Sequence, residues 1–457
     1  MKDFTRGREW SQILGFALPM LLGNLFMQLY QFVDTAIVGR FVGKEALAAV
    51  GASTPVIFMT IALVVGMGIG ASIVISQYFG MKRYDRVQAT ADTLTIFLAV
   101  AAVAVTVLGV LFSVPLLRLM KLPEEIVPMA AGYLKIYFGG SVFLFGFNSV
   151  SAVLRGVGDS KTPLYFLVVS AVLNVGLDLL FIVGLGWGVP GAAWATVIAQ
   201  GAAFLLAVAY VNRKHTLLKF NLINPKFDGA LFRQCLRMGL PSGLQQTFVA
   251  VGMVALMGVV NGFGTDVIAA YSAVNRIDTF VALPVMNFAA ALTSFTGQNA
   301  GAGKWLRIRR GLRDTLWMSS GCVLVLNAVL ILFGRSVLRI FTDDPAVLDA
   351  GYECLAVMNS TYLLFNLMFV INGMLRGAGA TVFTMLITFV SLWLFRVPAA
   401  VFLSGVFGET GIWWAMPVGW AAGLAGSVAY FYSGRWRNRG VGRPDASSVA
   451  PPAEEGL

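Results

Sequence analysis

The chain has 457 residues, of which 58% are apolar or aromatic and only 12% are charged, with a mean hydropathy of +0.79. A soluble domain carries roughly 25% charge and needs a charged exterior, so a soluble enzyme, a nucleic-acid binder and a disordered chain are excluded. The net charge of +11 must be read loop by loop, because membrane proteins concentrate Lys and Arg on one side of the bilayer. Cys235, Cys322 and Cys354 fit no metal spacing and no disulfide framework, and His215 is the single histidine, which excludes a His-based metal centre. The polar start, MKDFTRGREW, runs into a full-length apolar segment with no small-residue cleavage site, so no removable signal peptide is expected.

A helix needs about 20 apolar residues to cross a bilayer. Stretches free of acids and bases predict twelve helices, at 11–38, 46–79, 89–113, 126–154, 162–184, 190–211, 236–261, 267–299, 312–334, 346–375, 382–405 and 409–434. The Gly/Pro cluster at 184–191 divides what would be one overlong span. With the N-terminus placed in the cytoplasm, inner segments carry 24 Lys and Arg and outer loops carry 6. That asymmetry puts both termini inside.

The chain repeats itself at an offset of 220–222 residues. Pro19 matches Pro241, Gln77-Tyr-Phe-Gly matches Gln298-Asn-Ala-Gly, and Leu154-Arg-Gly-Val-Gly matches Leu375-Arg-Gly-Ala-Gly. Six spans per half is an even number, so both halves enter the membrane from the same side and the repeat is parallel. The expected fold is an all-α integral membrane protein of twelve transmembrane helices. They form two six-helix bundles related by a pseudo-twofold axis along the membrane normal. The N-terminal bundle covers 1–211, a cytoplasmic linker 212–235, the C-terminal bundle 236–434, and a disordered cytoplasmic tail 435–457.

Ionisable residues inside a bilayer are costly and mark functional sites. Those within the spans are Asp34, Lys135, Asp178, Arg276, Asp278, Glu353 and Arg396. At 1.5 Å per residue, Asp34 lies about 6 Å from the outer end of its helix, and Asp178 and Thr196 about 9 Å from theirs. Asn174 is one turn from Asp178 on the same face. Two carboxylates, an amide and a hydroxyl at similar depth form a plausible cation site. Oxygen ligands suit Na+, and close carboxylates can share a proton. Lys135 and Arg396 are expected to snorkel to span ends. Met253, Met257, Phe280, Met286 and Phe288 are candidate drug contacts, since Met and aromatic side chains make adaptable surfaces. Gln245, Gln246, Asn275, Arg276 and Asp278 are candidate polar contacts. The glycines of Gly66-Met-Gly-Ile-Gly70 lie mid-span without a Lys-Ser/Thr, so they are read as close helix packing rather than a phosphate loop.

The segments Tyr30-Gln-Phe-Val-Asp34-Thr-Ala-Ile-Val-Gly39, Leu154-Arg-Gly-Val-Gly-Asp-Ser-Lys-Thr-Pro163, Gly188-Val-Pro-Gly-Ala-Ala-Trp-Ala-Thr196, Asn275-Arg276-Ile and Gly297-Gln-Asn-Ala-Gly301 resemble the MATE (multidrug and toxic compound extrusion) transporters, over about residues 10–434. The resemblance implies efflux of bulky amphipathic, often cationic compounds by antiport with H+ or Na+, with no cofactor and no enzymatic step. It also implies the subgroup with an aspartate-based site in the N-terminal half: Asp34 in helix 1, Asn174 and Asp178 in helix 5, Thr196 in helix 6, and Pro19 as a hinge. Sodium-coupled relatives often carry a Glu in helix 7, where this chain reads Gln245-Gln246. Coupling is therefore expected in the first half only. A monomer in the plasma membrane of a prokaryote is expected, contacting lipid and small-molecule drugs but no nucleic acid. The competing readings are a lipid-linked oligosaccharide flippase, a membrane-embedded enzyme and a channel. A flippase wants a strongly cationic cavity, an enzyme a catalytic constellation within the spans, and a channel has no need of a pairable repeat.

Overall fold

The computed structural model describes residues 1–215, 217–220 and 225–441. The first half comprises α1 (Glu9–Phe41), α2 (Lys44–Gly80), α3 (Tyr84–Leu119), α4 (Val127–Gly139), α5 (Ser141–Gly156), α6 (Lys161–Asp178) with a π-helical continuation to Gly184, and α7 (Gly188–Lys214). The second comprises α8 (Gly229–Val260), α9 (Thr265–Gly301), α10 (Trp305–Leu338), α11 (Pro345–Gly377), α12 (Thr381–Phe389), a π-helical stretch Val390–Arg396, α13 (Val397–Phe407) and α14 (Glu409–Tyr432). No strand occurs among the described residues.

Ten of these segments are long and apolar enough to cross a membrane, with each π-helical stretch counted into its span, and α4 with α5 makes an eleventh, bent by 49°. The twelfth is α14, 24 residues long, whose Trp413, Trp414 and Trp420 lower its hydropathy. The protein is thus an all-helical membrane protein of twelve spans in two bundles. The bend falls at Gly140, where Val197 of α7 fills the space a Cβ would need. Sequence patterning reads 126–154 as one helix long enough to be tilted or kinked, but nothing local to Gly140 announces that neighbour or fixes the bend there.

Two expected boundaries move. Helix α8 starts at Gly229 rather than 236, because the Asp228 carboxylate caps it, accepting from the Ala230 and Leu231 amides at 2.9 and 3.1 Å as an N-cap should. The linker is correspondingly shorter than 212–235. Residues 435–441 are not part of a disordered tail: Arg435–Asn438 forms a 3₁₀ turn. Trp436 is 1% exposed, stacks on Phe431, and donates from Nε1 to the Phe431 carbonyl at 2.9 Å. The rest of the expected tail, 442–457, lies outside the described residues.

The halves meet along α2 with α8, α2 with α9, and α1 with α9. Glycine sets the first seam. A Cβ on Gly66 would stand 2.6 Å from Gly243 Cα, and one on Gly70 would stand 2.5 Å from the Cys235 carbonyl. Small residues let helix backbones approach this closely. Among the described residues, the hydrogen bonds that join the two bundles lie toward the end where residues 2–7 and 435–441 pack. The uppermost is Asn24 Nδ2 donating to Asn287 Oδ1 at 2.9 Å, near the middle of α1 and α9.

Candidate cation site

Asp34 sits seven residues before the end of α1, deeper than the sequence places it because α1 continues to Phe41. Asp178 is the last residue of α6, where the helix widens into the π-helical stretch Leu179–Gly184. Such bulges recur at functional sites. The two carboxyl groups interact directly across the packed α1–α6 pair. Asp178 is wholly buried and Asp34 half-buried. Asn174 lies one turn below Asp178. Oriented to satisfy both ends of its amide, it donates to Asp178 Oδ2 and accepts from the Thr196 amide, each at 3.2 Å. The Thr196 hydroxyl donates to the Ala192 carbonyl at 3.0 Å, which leaves its oxygen free to accept. The four residues named from sequence are therefore contiguous.

Oδ1 of Asp34 and Oδ1 of Asp178 are buried without a hydrogen-bond donor among the described residues. Buried polar atoms are normally satisfied, so this pair wants a proton or a cation. Three oxygen types with two negative charges match a hard monovalent cation or a proton. Tyr30, Tyr133 and Tyr137 complete the surroundings. Tyr30 and Tyr133 interact electrostatically with both aspartates, and Tyr133 stacks on Tyr137 at 6.3 Å. The sequence reading missed all three. Tyr30 was findable, one turn before Asp34 on the same face. Tyr133 and Tyr137 come from α4 and reach the site only through the packing of the bundle. On the far side from the termini, Ile37, Val38, Ala46, Ile182, Val189 and Ala192 form an apolar cluster over the site.

Pro19 is buried within α1, which runs unbroken through it. The candidate drug contacts divide between the packed core and the exposed surface. Phe288 is packed in the core beside Phe16 and Phe295. Gln245 is buried and donates to Thr388 Oγ1 at 2.6 Å, and Met257 packs against the core of the second half. Met253, Phe280, Met286 and Arg276 are exposed, Gln246 is half-buried, and Asn275 bonds to the Tyr271 carbonyl at 2.9 Å. Asp278 accepts from the Tyr362 hydroxyl at 2.8 Å, and the cation facing it is Arg396. Arg396 thus turns into the second half instead of snorkelling, because α14 packs on its stem at Gly419. Lys135 is exposed. Glu353 accepts from Thr410 at 2.8 Å.

Two six-span bundles in parallel repeat, with a carboxyl pair buried in one of them, define a membrane transporter rather than an enzyme. The chain belongs to the MatE family, whose pattern matches residues 19–180 and again 241–402; the two matches are 222 residues apart, the offset of the internal repeat. It is 33% identical to the probable multidrug resistance protein YpnP of Bacillus subtilis over 95% of this chain and 97% of that one. It is 27% identical to the probable multidrug resistance protein NorM of Thermotoga maritima over 94% of each. A solved structure described as the outward-facing conformation of a multidrug resistance MATE family transporter superimposes with a TM-score of 0.88 at 25% identity, covering 96% of this chain and 98% of that one.

Proposed function

We propose that the protein is a multidrug efflux transporter that exchanges amphipathic, often cationic drugs for H+ or Na+ by alternating access. The observation that carries the reading is the Asp34–Asp178 carboxyl contact, with two buried oxygens accepting no hydrogen bond. Two ionised carboxylates in contact repel, so the pair is stable only with a proton or cation between them. Asn174 and Thr196 supply neutral oxygen and amide groups to either. Loading the pair discharges it and lets α1 repack, with Pro19 as the place where the helix lacks a backbone donor. The relatives named for multidrug resistance and the outward-facing relative support the drug and the conformational parts of this reading.

Linkage makes the coupling reciprocal: a cation that weakens drug binding must itself be bound more weakly when drug is present. In detergent, wild-type drug affinity is expected to fall by about tenfold as protons or Na+ are raised, within the usual range of coupling energies. Asp178→Asn should flatten that dependence. Titration of a fluorescent drug across a pH series and a Na+ series measures both, and a wild-type affinity indifferent to both ions removes the coupling site.

We assign both termini to the cytoplasm of a bacterial plasma membrane, on the 24:6 division of Lys and Arg and the rule behind it. Cysteines placed in the 212–237 segment should resist an impermeant thiol reagent applied to intact cells and react after permeabilisation. Ready labelling of intact cells reverses the topology.

A further inference from the structure

The termini-side end of the seam contains one arrangement built twice. Gln77, near the end of α2, and Gln298, near the end of α9, are 1% and 0% exposed. Gln77 Nε2 donates to the Gly377 carbonyl at 2.9 Å, and its Oε1 accepts from the Val441 amide at 2.6 Å. Gln298 Nε2 donates to the Gly156 carbonyl at 3.3 Å, and its Oε1 accepts from the Phe4 amide at 2.9 Å. Each glutamine leaves its own half, takes a carbonyl at the end of a helix in the other half, and holds that other half's terminal segment. Both Gln77 with Gln298 and Gly156 with Gly377 stand 221 residues apart, so the two bridges are related by the internal repeat.

The backbone repeats the pairing. Gly158 and Gly379, also 221 apart, have φ of +78° and +97° in the turns after α5 and α11. A Cβ on Gly158 would stand 2.5 Å from the Lys2 carbonyl, and one on Gly379 would stand 2.5 Å from the Arg439 carbonyl. Each terminal segment therefore lies flat against an equivalent turn.

The N-terminal segment is also fastened directly to the second half. Asn299 Nδ2 donates to the Phe4 carbonyl at 3.1 Å and Lys304 Nζ to the Thr5 carbonyl at 2.9 Å. Arg307 donates to the Gly7 and Phe4 carbonyls at 2.9 and 3.1 Å and pairs with Glu9 at 3.2 Å. The Phe4 ring is wedged between Phe16 of α1 and Phe295 of α9, at 5.2 and 6.1 Å.

We propose that residues 2–7 and 435–441 are straps that hold the termini-side gate shut, fastened by Gln77 and Gln298, and that each transport cycle must release both. The inference rests on the alternating-access reading above. Its physical basis is that parting the halves exchanges all four bonds of the two bridges for bonds to water at once, and each exchange is a small net loss.

Cys235 reports the gate without any new probe site. It is buried at 2% exposure on α8, with its carbonyl under Gly70 of α2, so a maleimide reaches it only when those helices part. The chain carrying Cys322→Ser and Cys354→Ala, purified in detergent, is labelled and compared with the same chain carrying Gln77→Ala, Gln298→Ala, both, or a deletion of residues 2–7. Each glutamine variant should label at least about tenfold faster, since it removes two hydrogen bonds of modest net value from the closed seam. The double variant should label about a hundredfold faster, since the bridges are separate. The deletion should match or exceed Gln298→Ala. If Gln298→Ala does not elute as folded protein, the deletion, which leaves every helix intact, carries the test. Unchanged labelling in the glutamine variants overturns the proposal. Faster labelling in Gln298→Ala with none in the deletion leaves a side-chain bridge and overturns the strap. Ethidium efflux from vesicles is read separately: faster labelling in a chain that never moves ethidium keeps the straps and removes the transport reading.

Discussion

Asp34→Asn should abolish drug resistance in a pump-deficient host while leaving the amount of protein in the membrane unchanged. Asparagine keeps the shape of the side chain and its fit beneath Ile37 and Val38, but it cannot give up or take the charge that the contact with Asp178 makes conditional on a proton or cation. On the proposed antiport, a chain without a titrating group on α1 has drug-bound and cation-bound states that are no longer mutually exclusive, and the exchange then has no driving step. The loss should be large: coupling energies of about 1–3 kcal/mol correspond to about 5- to 150-fold in affinity, and a cycle without coupling does no net work. Minimum inhibitory concentrations for ethidium, alongside an immunoblot of the membrane fraction, measure it. Normal resistance at normal expression removes Asp34 from the coupling step.

The second large effect is expected at the α2–α8 seam. In Gly70→Val the new Cβ meets the backbone of α8, at the Cys235 carbonyl 2.5 Å away, and backbone cannot swing aside as a flexible side chain does. Overpacking of this kind costs about 1–3 kcal/mol. Because the clash exists only while the halves are together here, that cost falls on one state of the cycle. The closed seam should lose about 5- to 150-fold in population relative to the open one. Spin labels at Arg83 and Arg310, exposed on opposite halves, should show a longer separation in the variant than in the wild type, and efflux should fall with it. An unchanged distance distribution means that α2 and α8 tolerate the valine by a local shift, and the seam is not the moving part. The same substitution at Gly258, where an added Cβ meets nothing within 4 Å, controls for a branched side chain in a helix.

Much of this architecture could be read in the chain. The spans follow from length and hydropathy alone, since a bilayer sets the length of an apolar helix. The repeat follows from paired landmarks such as Leu154-Arg-Gly and Leu375-Arg-Gly. What failed was local to neighbours. The kink at Gly140 depends on Val197, 57 residues away. The start of α8 depends on Asp228, which Arg86 of α3 also contacts at 3.0 Å. The order of residues 435–441 depends on a pocket for Trp436 formed with Trp305 and Phe431.

The candidate site divides in the same way. Asp34, Asn174, Asp178 and Thr196 could be grouped from sequence because depth in a membrane is a single coordinate, and residue number along a helix converts to it at 1.5 Å per residue. Tyr133 and Tyr137 could not, because depth says nothing about which helices are adjacent. The drug contacts were equally out of reach: apolar side chains facing lipid, core and cleft have one composition, and only packing separates Phe288, buried in the core, from Phe280, exposed on the same helix. The sequence by itself determined the class of protein, its spans, its repeat and the depth of its charges, because the bilayer reads hydropathy in one dimension. The tertiary structure alone decided that the two carboxyls touch, that glycines close the seam, and that Gln77 and Gln298 tie the chain ends across it, because each of these is a contact between segments far apart in the chain.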